Sequence, residues 1–308
     1  MSQLLQGSLF RPPARDSAVR VGPAGWNYRD WEGIVYPAGH GKSFDPLAFL
    51  ADYFDTIEIN SSFYSPPRPA DAAAWARRVS NNPRFRFTAK AWQRLTHEPK
   101  DALSATLAED CAFVRASLSP IADAGRMGAV LIQFPWSFRR SEQNLEHMGK
   151  LSCHLEGFPL VLEVRHGSWD CEQTYDWLRE NRVGICNVDQ PVIGDSLKPG
   201  ARVTSHVGYF RMHGRNYQNW FNESAGRDAR YDYLYSRAEI GELSRLIKAI
   251  TQDAEETYAI TNNHFRGQAL VNALEILEEL DAQLSAVPSL LMEAYRERYS
   301  GGTRENSG

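Results

Sequence analysis

The chain has 308 residues, with 34 Lys plus Arg against 38 Asp plus Glu and a formal charge of −4 at pH 7. Its 43 % hydrophobic and 23 % charged residues match an ordinary globular protein, which excludes wholesale disorder, a collagen-like repeat and a coiled coil. Mild acidity argues against a generic phosphate-coating role, although a local basic face stays open.

From the start, residues 1–18 carry Arg11 and Arg15 but no apolar run and no small-residue cleavage site, so they are expected to be a flexible arm rather than a secretory leader. One phrase then recurs about eight times: a short β-branched or aromatic run, a polar or glycine-containing loop, and a helical pattern. The predicted strands are 19–22, 56–60, 84–90, 128–133, 160–165, 184–189, 209–213 and 258–263. Asp45 can cap a helix that begins at Pro46 and carries the stripe Leu47, Leu50, Tyr53 and Phe54. Helical spacing returns at Ile240, Leu243, Leu246, Ile247 and Ile250, and again at Leu270, Leu274, Leu277 and Leu280. After Asp189 the helical pattern is interrupted by Pro191, Gly194, Pro199 and Gly200. Residues 300–308 are polar and glycine-rich, which predicts a disordered tail.

No hairpin signal joins neighbouring strands. Strict alternation requires parallel strands with right-handed crossovers, and eight such units can close without an exposed edge. The expectation is therefore α/β, a single eight-stranded parallel (β/α)8 TIM barrel over residues 19–299. An open doubly wound sheet is the alternative, but Gly22 and Gly25 do not have the G-x-G-x-x-G spacing.

Successive strand residues point to opposite sides. Ile57 and Ile59 alternate with Glu58 and Asn60, Phe87 and Ala89 with Thr88 and Lys90, and Leu162 and Val164 with Glu163 and Arg165. Ile132 and Phe134 flank Gln133, Cys186 and Val188 alternate with Asn187 and Asp189, and Phe210 and Met212 with Arg211 and His213; Asn263 completes the set. Ionised groups facing a helix layer would cost several kcal/mol each if unpaired, so these polar residues are expected to face the barrel axis, late in their strands. Three anions and three cations also fit a self-neutralising network that only holds the barrel together. Interleaved cations and acids favour an anionic or hydroxylated ligand over a divalent metal, so no metal or cofactor is expected.

Loops supply further candidates. In the segment from Gly22 to Trp31, the rings of Trp26, Tyr28 and Trp31 can stack on a sugar or base, or simply cap the barrel. Gly41-Lys42-Ser43 only superficially matches a phosphate loop, because no glycine precedes it at the required distance. His97 can reach the pocket mouth; His166 alternates to the other face and is read as structural; His213 is the better acid–base candidate. Arg68, Arg139, Arg140, Arg215, Tyr217 and Trp220 can form a basic and aromatic rim suited to a nucleic-acid strand or to a lid. Cys111, Cys153, Cys171 and Cys186 lack C-x-x-C spacing and are expected to be buried thiols. With no apolar run long enough to cross a bilayer, no membrane role is expected and a cytoplasmic location is.

Together these residues resemble the domain-of-unknown-function 72 family, the YecE-like proteins. The resemblance rests on Gly25-Trp26-Asn27-Tyr28, Glu58-Ile59-Asn60-Ser61-Ser62-Phe63-Tyr64, Phe87-Thr88-Ala89-Lys90, Gln133-Phe134-Pro135, Glu163-Val164-Arg165-His166, Arg211-Met212-His213-Gly214-Arg215 and Asn262-Asn263. It implies a TIM barrel, carries no catalytic assignment, and brings a suggested likeness to endonuclease IV-type barrels. Thr261 and His264 stand where the family more often has Phe and Thr.

Three functions follow. The first is an enzyme for a small polar or anionic substrate, with Glu58, Glu163, His213 or Asp189 moving the proton. Lys90, Arg165, Arg211, Asn60, Gln133, Asn263, Trp26, Tyr28, His97 and Arg215 would hold that substrate. The second is a nucleic-acid binder or phosphodiesterase using the rim. The third is a non-catalytic ligand sensor.

Overall fold

The computed structural model describes residues 18–41, 43–97, 105–218, 230–281 and 286–300. Most of the expected N-terminal arm, Lys42, Trp220 and most of the expected C-terminal tail lie outside the described residues.

Eight parallel strands form one sheet: β1 (Val19–Pro23), β2 (Thr56–Ile59), β3 (Arg86–Lys90), β4 (Met127–Gln133), β5 (Leu160–Glu163), β6 (Gly184–Asp189), β7 (Val207–Met212) and β8 (Glu256–Thr261). Their order runs β1-β8-β7-β6-β5-β4-β3-β2. The ring closes just past β1, where Ala24 bridges Glu58 and the Gly25 N–H donates to the Glu58 carbonyl at 2.9 Å. Closure brings the β1 and β2 backbones together. A Cβ on Gly22 would come within 1.9 Å of the Thr56 carbonyl oxygen, so only glycine fits there.

Among the described residues seven helices follow strands of the barrel: α1 (Pro46–Ala51), α2 (Pro69–Arg78), α3 (Ala105–Asp123), α4 (Glu142–His154), α5 (Glu172–Glu180), α6 (Arg237–Asp253) and α7 (Gln268–Asp281); two short helices, Ser289–Ala294 and Arg296–Ser300, come after them. Asp45 caps α1 by accepting from the Leu47 and Ala48 N–H groups, and Ser236 with Glu239 forms a reciprocal capping box on α6. The apolar stripes Leu47 and Leu50, and Ile240, Leu243, Ile247 and Ile250, are buried against the strands. Inside the ring a second cluster of Ala129, Leu131, Val161, Tyr209, Tyr258 and Ile260 fills the barrel. These elements make a single (β/α)8 TIM barrel, and the predicted strands lie within two residues of the observed ones. The sequence break after Asp189 is real: no helix joins β6 to β7, and residues 190–206 run as irregular chain.

Two strands correct the polarity rule. On β6 it is Cys186 and Val188 that join the inner cluster, so Asn187 and Asp189 point outward. The reason is the missing helix. Asn187 donates to the Arg202 carbonyl at 2.9 Å and accepts from the Arg202 N–H at 2.9 Å, fastening loop backbone where an apolar helix would otherwise lie. After β8, with Tyr258 and Ile260 inside, the same alternation brings Asn262 and not Asn263 to the axis. Asn263 donates instead to the Tyr233 carbonyl and the Asn272 amide oxygen.

Gly22→Ala is expected to cost about 3 kcal/mol or more, because the new methyl meets backbone that cannot move aside without opening the ring. Urea unfolding checks this, and an unchanged midpoint would contradict the closure geometry.

Candidate functional site

The upper strand ends converge because backbone pairing continues past β7 and β8. The His213 N–H donates to the Asp189 carbonyl at 2.9 Å, and the Asn262 N–H donates to the Met212 carbonyl at 2.7 Å. With Lys90 ending β3, Gln133 ending β4 and Asn60 following β2, these residues floor a cavity of about 690 Å³. Trp26, Tyr28, Tyr64, Trp75, Tyr231 and His264 line it as an aromatic wall. Tyr28 stacks on His264 with centroids 4.4 Å apart, and Trp26 meets Trp75 edge-on at 5.2 Å. The two readings of the first motif divide between its tryptophans: Trp26 faces the cavity, whereas Trp31 is fully buried and donates to the His264 carbonyl at 2.8 Å.

Beneath the floor lies an ion network in which Glu58, Glu163 and Arg211 are fully buried and Arg165 is partly exposed. Arg211 donates from Nη2 to Glu58 Oε1 at 2.7 Å and from Nη1 to Glu163 Oε2 at 2.5 Å. Its Nη1 also reaches Gln133 Oε1 at 3.2 Å and stands 3.2 Å from His213 Nε2. Arg165 donates from Nη2 and Nε to Glu163 Oε1, at 2.9 and 3.1 Å. The Tyr209 hydroxyl donates to Glu58 Oε2 at 2.9 Å and lies 2.8 Å from the Thr88 hydroxyl. Burial opposes charge on Glu163, yet Arg211 and then Arg165 hold its carboxyl well below the usual range. Burial opposes charge on Arg211 as well, and Glu163 with Glu58 holds its proton more tightly than in water. Glu58, Glu163, Arg211 and His213 thus come together as the alternation predicts. The two carboxylates do not line the cavity, however, and both oxygens of each are engaged by Arg211, Arg165 and Tyr209.

The groups that reach the cavity have a different character. Lys90 is buried with its Nζ 4.0 Å from the centre of the Phe63 ring, and that Nζ makes no hydrogen bond or ion pair with any described residue. Burial, then the nearby Arg211, pulls its pKa from 10.5 down to about 7, against the pull of Glu58 and Glu163. Burial and Arg211 likewise push His213 down to about 3, so its imidazole is neutral at physiological pH. The Asn262 amide holds that ring from the other side, 2.9 Å from Nδ1. His97 packs edge-on against Phe63 at 4.9 Å, beside the cavity rather than lining it, and burial with Lys90 lowers it to about 4.

Other candidates go elsewhere. Asp189 accepts from Arg215 Nη2 at 2.8 Å and from the Tyr235 hydroxyl at 2.5 Å, and Arg215 also reaches Glu239 Oε1 at 3.1 Å. That group ties the segment after β7 to α6 and does not border the cavity. His166 accepts from the Ser168 N–H at 3.0 Å, the structural role expected of it. Of the cysteines, Cys111 and Cys186 are buried, but Cys153 is exposed and Cys171 half-buried, contrary to expectation. Among the described residues no group of three His, Cys, Asp or Glu side chains could hold a metal ion, and no helix is long and apolar enough to cross a membrane. Sequence reasoning missed Asn262, for which strand register was the available signal, and the wall rings Tyr64, Trp75 and Tyr231, which come from a loop, α2 and a distant segment.

A sequence model described as "Protein of unknown function DUF72" matches residues 20–295. The UPF0759 protein YunF of Bacillus subtilis (strain 168) is 26 % identical over 280 residues, which cover 87 % of this chain and 97 % of that protein. The crystal structure of a DUF72 family protein from Thermotoga maritima is similar with a TM-score of 0.73 and 33 % identity, covering 85 % of this chain and 99 % of that one. Another, from Enterococcus faecalis, gives 0.75 and 26 %, covering 87 % and 97 %.

Two substitutions separate network from cavity. Arg211→Met strips the partner shared by two buried carboxylates and is expected to cost about 3–5 kcal/mol. Lys90→Met removes a buried ammonium that lacks a hydrogen-bonding partner, and near neutral pH it is expected to match or exceed wild-type stability. Between about pH 7 and 10.5 the unfolded chain keeps the lysine proton and the folded protein does not, so wild-type stability rises with pH and the advantage of Lys90→Met shrinks. Urea unfolding across that range measures both effects.

Proposed function

The chain belongs to the DUF72 family, and we propose that it is an enzyme for a small polar or anionic molecule held in the cup at the carboxyl ends of the barrel strands. The observation that carries this reading is Lys90, a buried lysine whose Nζ meets the Phe63 ring but no hydrogen-bonding or acidic partner among the described residues, and which borders the cavity above a network whose charges already balance. Glu58 and Glu163 neutralise Arg211 and Arg165, so the ammonium of Lys90 is the floor's surplus charge. An anion entering the cup would meet that charge, and a neutral amine there could accept a proton. Asn60, Gln133 and Asn262 would orient hydroxyl or carbonyl groups, while Trp26, Tyr64 and Trp75 would cover apolar faces of the ligand. His213, neutral and held between Arg211 and Asn262, suits hydrogen bonding to a bound ligand better than taking up its proton.

The nucleic-acid reading has less support, because Arg215 is bound to Asp189 and Arg68 pairs with Asp71 at 2.7 Å. A ligand sensor would use the same cup and differs only in lacking turnover.

Ligand-observed NMR with a panel of sugars, sugar phosphates and hydroxy acids tests the proposal. At least one compound should bind, and Asn60→Ala and Gln133→Ala should each weaken it about tenfold, the loss of one or two buried hydrogen bonds. For an anion, wild-type affinity should fall as pH rises through 7, a dependence absent in Lys90→Met. Binding that ignores all three substitutions would overturn the assignment of the cup, and product formation followed by mass spectrometry separates enzyme from sensor.

A further inference from the structure

Resting on the reading of the cup as a substrate site, we infer that Lys90 is a nucleophile that forms an imine with a small hydroxylated aldehyde or ketone. Three structural facts support this chemistry. The side chain ends at the floor of a 690 Å³ cavity, where a carbonyl carbon can approach it. No carboxylate ties its nitrogen down: Glu58 and Glu163, the acids of the floor, are taken up by Arg211, Arg165 and Tyr209, leaving the amine lone pair free once the proton has gone. Burial beside the Arg211 guanidinium favours that loss near neutral pH, the standard way in which a lysine becomes nucleophilic.

The step balances without a redox partner. The Lys90 ammonium first passes its proton to water in the cup; the neutral amine then attacks the carbonyl carbon and forms the C–N bond, the carbonyl π pair moves to oxygen, which takes that proton back, and one nitrogen proton shifts to the resulting hydroxyl. Loss of that oxygen as water leaves a protonated imine whose single positive charge replaces that of the Lys90 ammonium. The neutral network below therefore meets the same charge before and after.

The lining points to the class of carbonyl compound. Asn60, Ser61, Gln133 and Asn262 offer uncharged hydrogen-bonding groups suited to hydroxyls, and the rings of Trp26 and Trp75 offer faces for C–H groups. Among the described residues the one arginine that borders the cavity, Arg78, is paired with Asp45, so it offers a substrate carboxylate no ready fork.

The test treats the full-length protein with glyceraldehyde and sodium cyanoborohydride, which reduces an imine to a stable amine, and maps the adducts by mass spectrometry. Lys90 should be modified at least ten times faster than the exposed lysines Lys198 and Lys248 at pH 7, with a rate that is half-maximal near pH 7 while theirs climbs toward pH 10. Lys90→Arg, which keeps the charge, should lose the fast adduct while circular dichroism stays unchanged. Modification of Lys90 no faster than the others overturns the imine. If glyceraldehyde nonetheless binds in the cup by ligand-observed NMR, and Gln133→Ala weakens it, the substrate-site reading stands without the imine; if nothing in the panel binds, both fall.

Discussion

A single buried guanidinium organises this barrel. Arg211, on β7, reaches across the axis to Glu58 on β2 and Glu163 on β5, and the three side chains are closed off from solvent. Two carboxylates in such a place would repel each other and each would be costly to bury; one guanidinium with two usable edges satisfies both. What lies above depends on this. Gln133 and His213 are positioned by the same Nη1, and burial, reinforced by the nearby fixed positive charge, keeps His213 neutral and loosens the proton on Lys90. The network thus underlies the residues that border the cavity.

Both readings of the polar strand residues therefore hold part of the truth. Glu58 and Glu163 with Arg211 and Arg165 do form the self-neutralising set that charge balance allowed. Such a set leaves nothing over for Lys90, whose carbon chain brings it one level higher at the end of β3. A count of three anions and three cations hides this, because Asp189 spends its charge outside the barrel on Arg215.

The fold was legible in the sequence because parallel strands buried on both faces are short β-branched runs with helical stripes between them, as in Thr56–Ile59 and Leu160–Glu163. Site residues on strands were legible where an apolar helix covers the outer face, since polarity then marks the inner one: Asn60, Lys90, Gln133 and His213 all border the cavity. The same rule failed at Asn187 and Asp189, where the outer neighbours are polar, and slipped by one at Asn263, where two adjacent asparagines gave no basis for choosing between them. The aromatic wall was least legible. Trp75 on α2 and Tyr231 after β7 reach the cup through tertiary placement that no local period encodes.

The absent helix between β6 and β7 has a consequence of its own. Among the described residues seven strands are each followed by a helix whose internal hydrogen bonds make it open as one piece; β6 is followed by residues 190–206, held by separate fastenings such as Asn187 to Arg202 and the Leu197 N–H to the Arg165 carbonyl. Each fastening can release alone, so this sector is where the wall breathes most easily without unzipping its neighbours. Because the Leu197 tie ends on the residue whose guanidinium grips Glu163, such breathing would be felt at the site's foundation, giving the molecule a soft side next to its most rigid part.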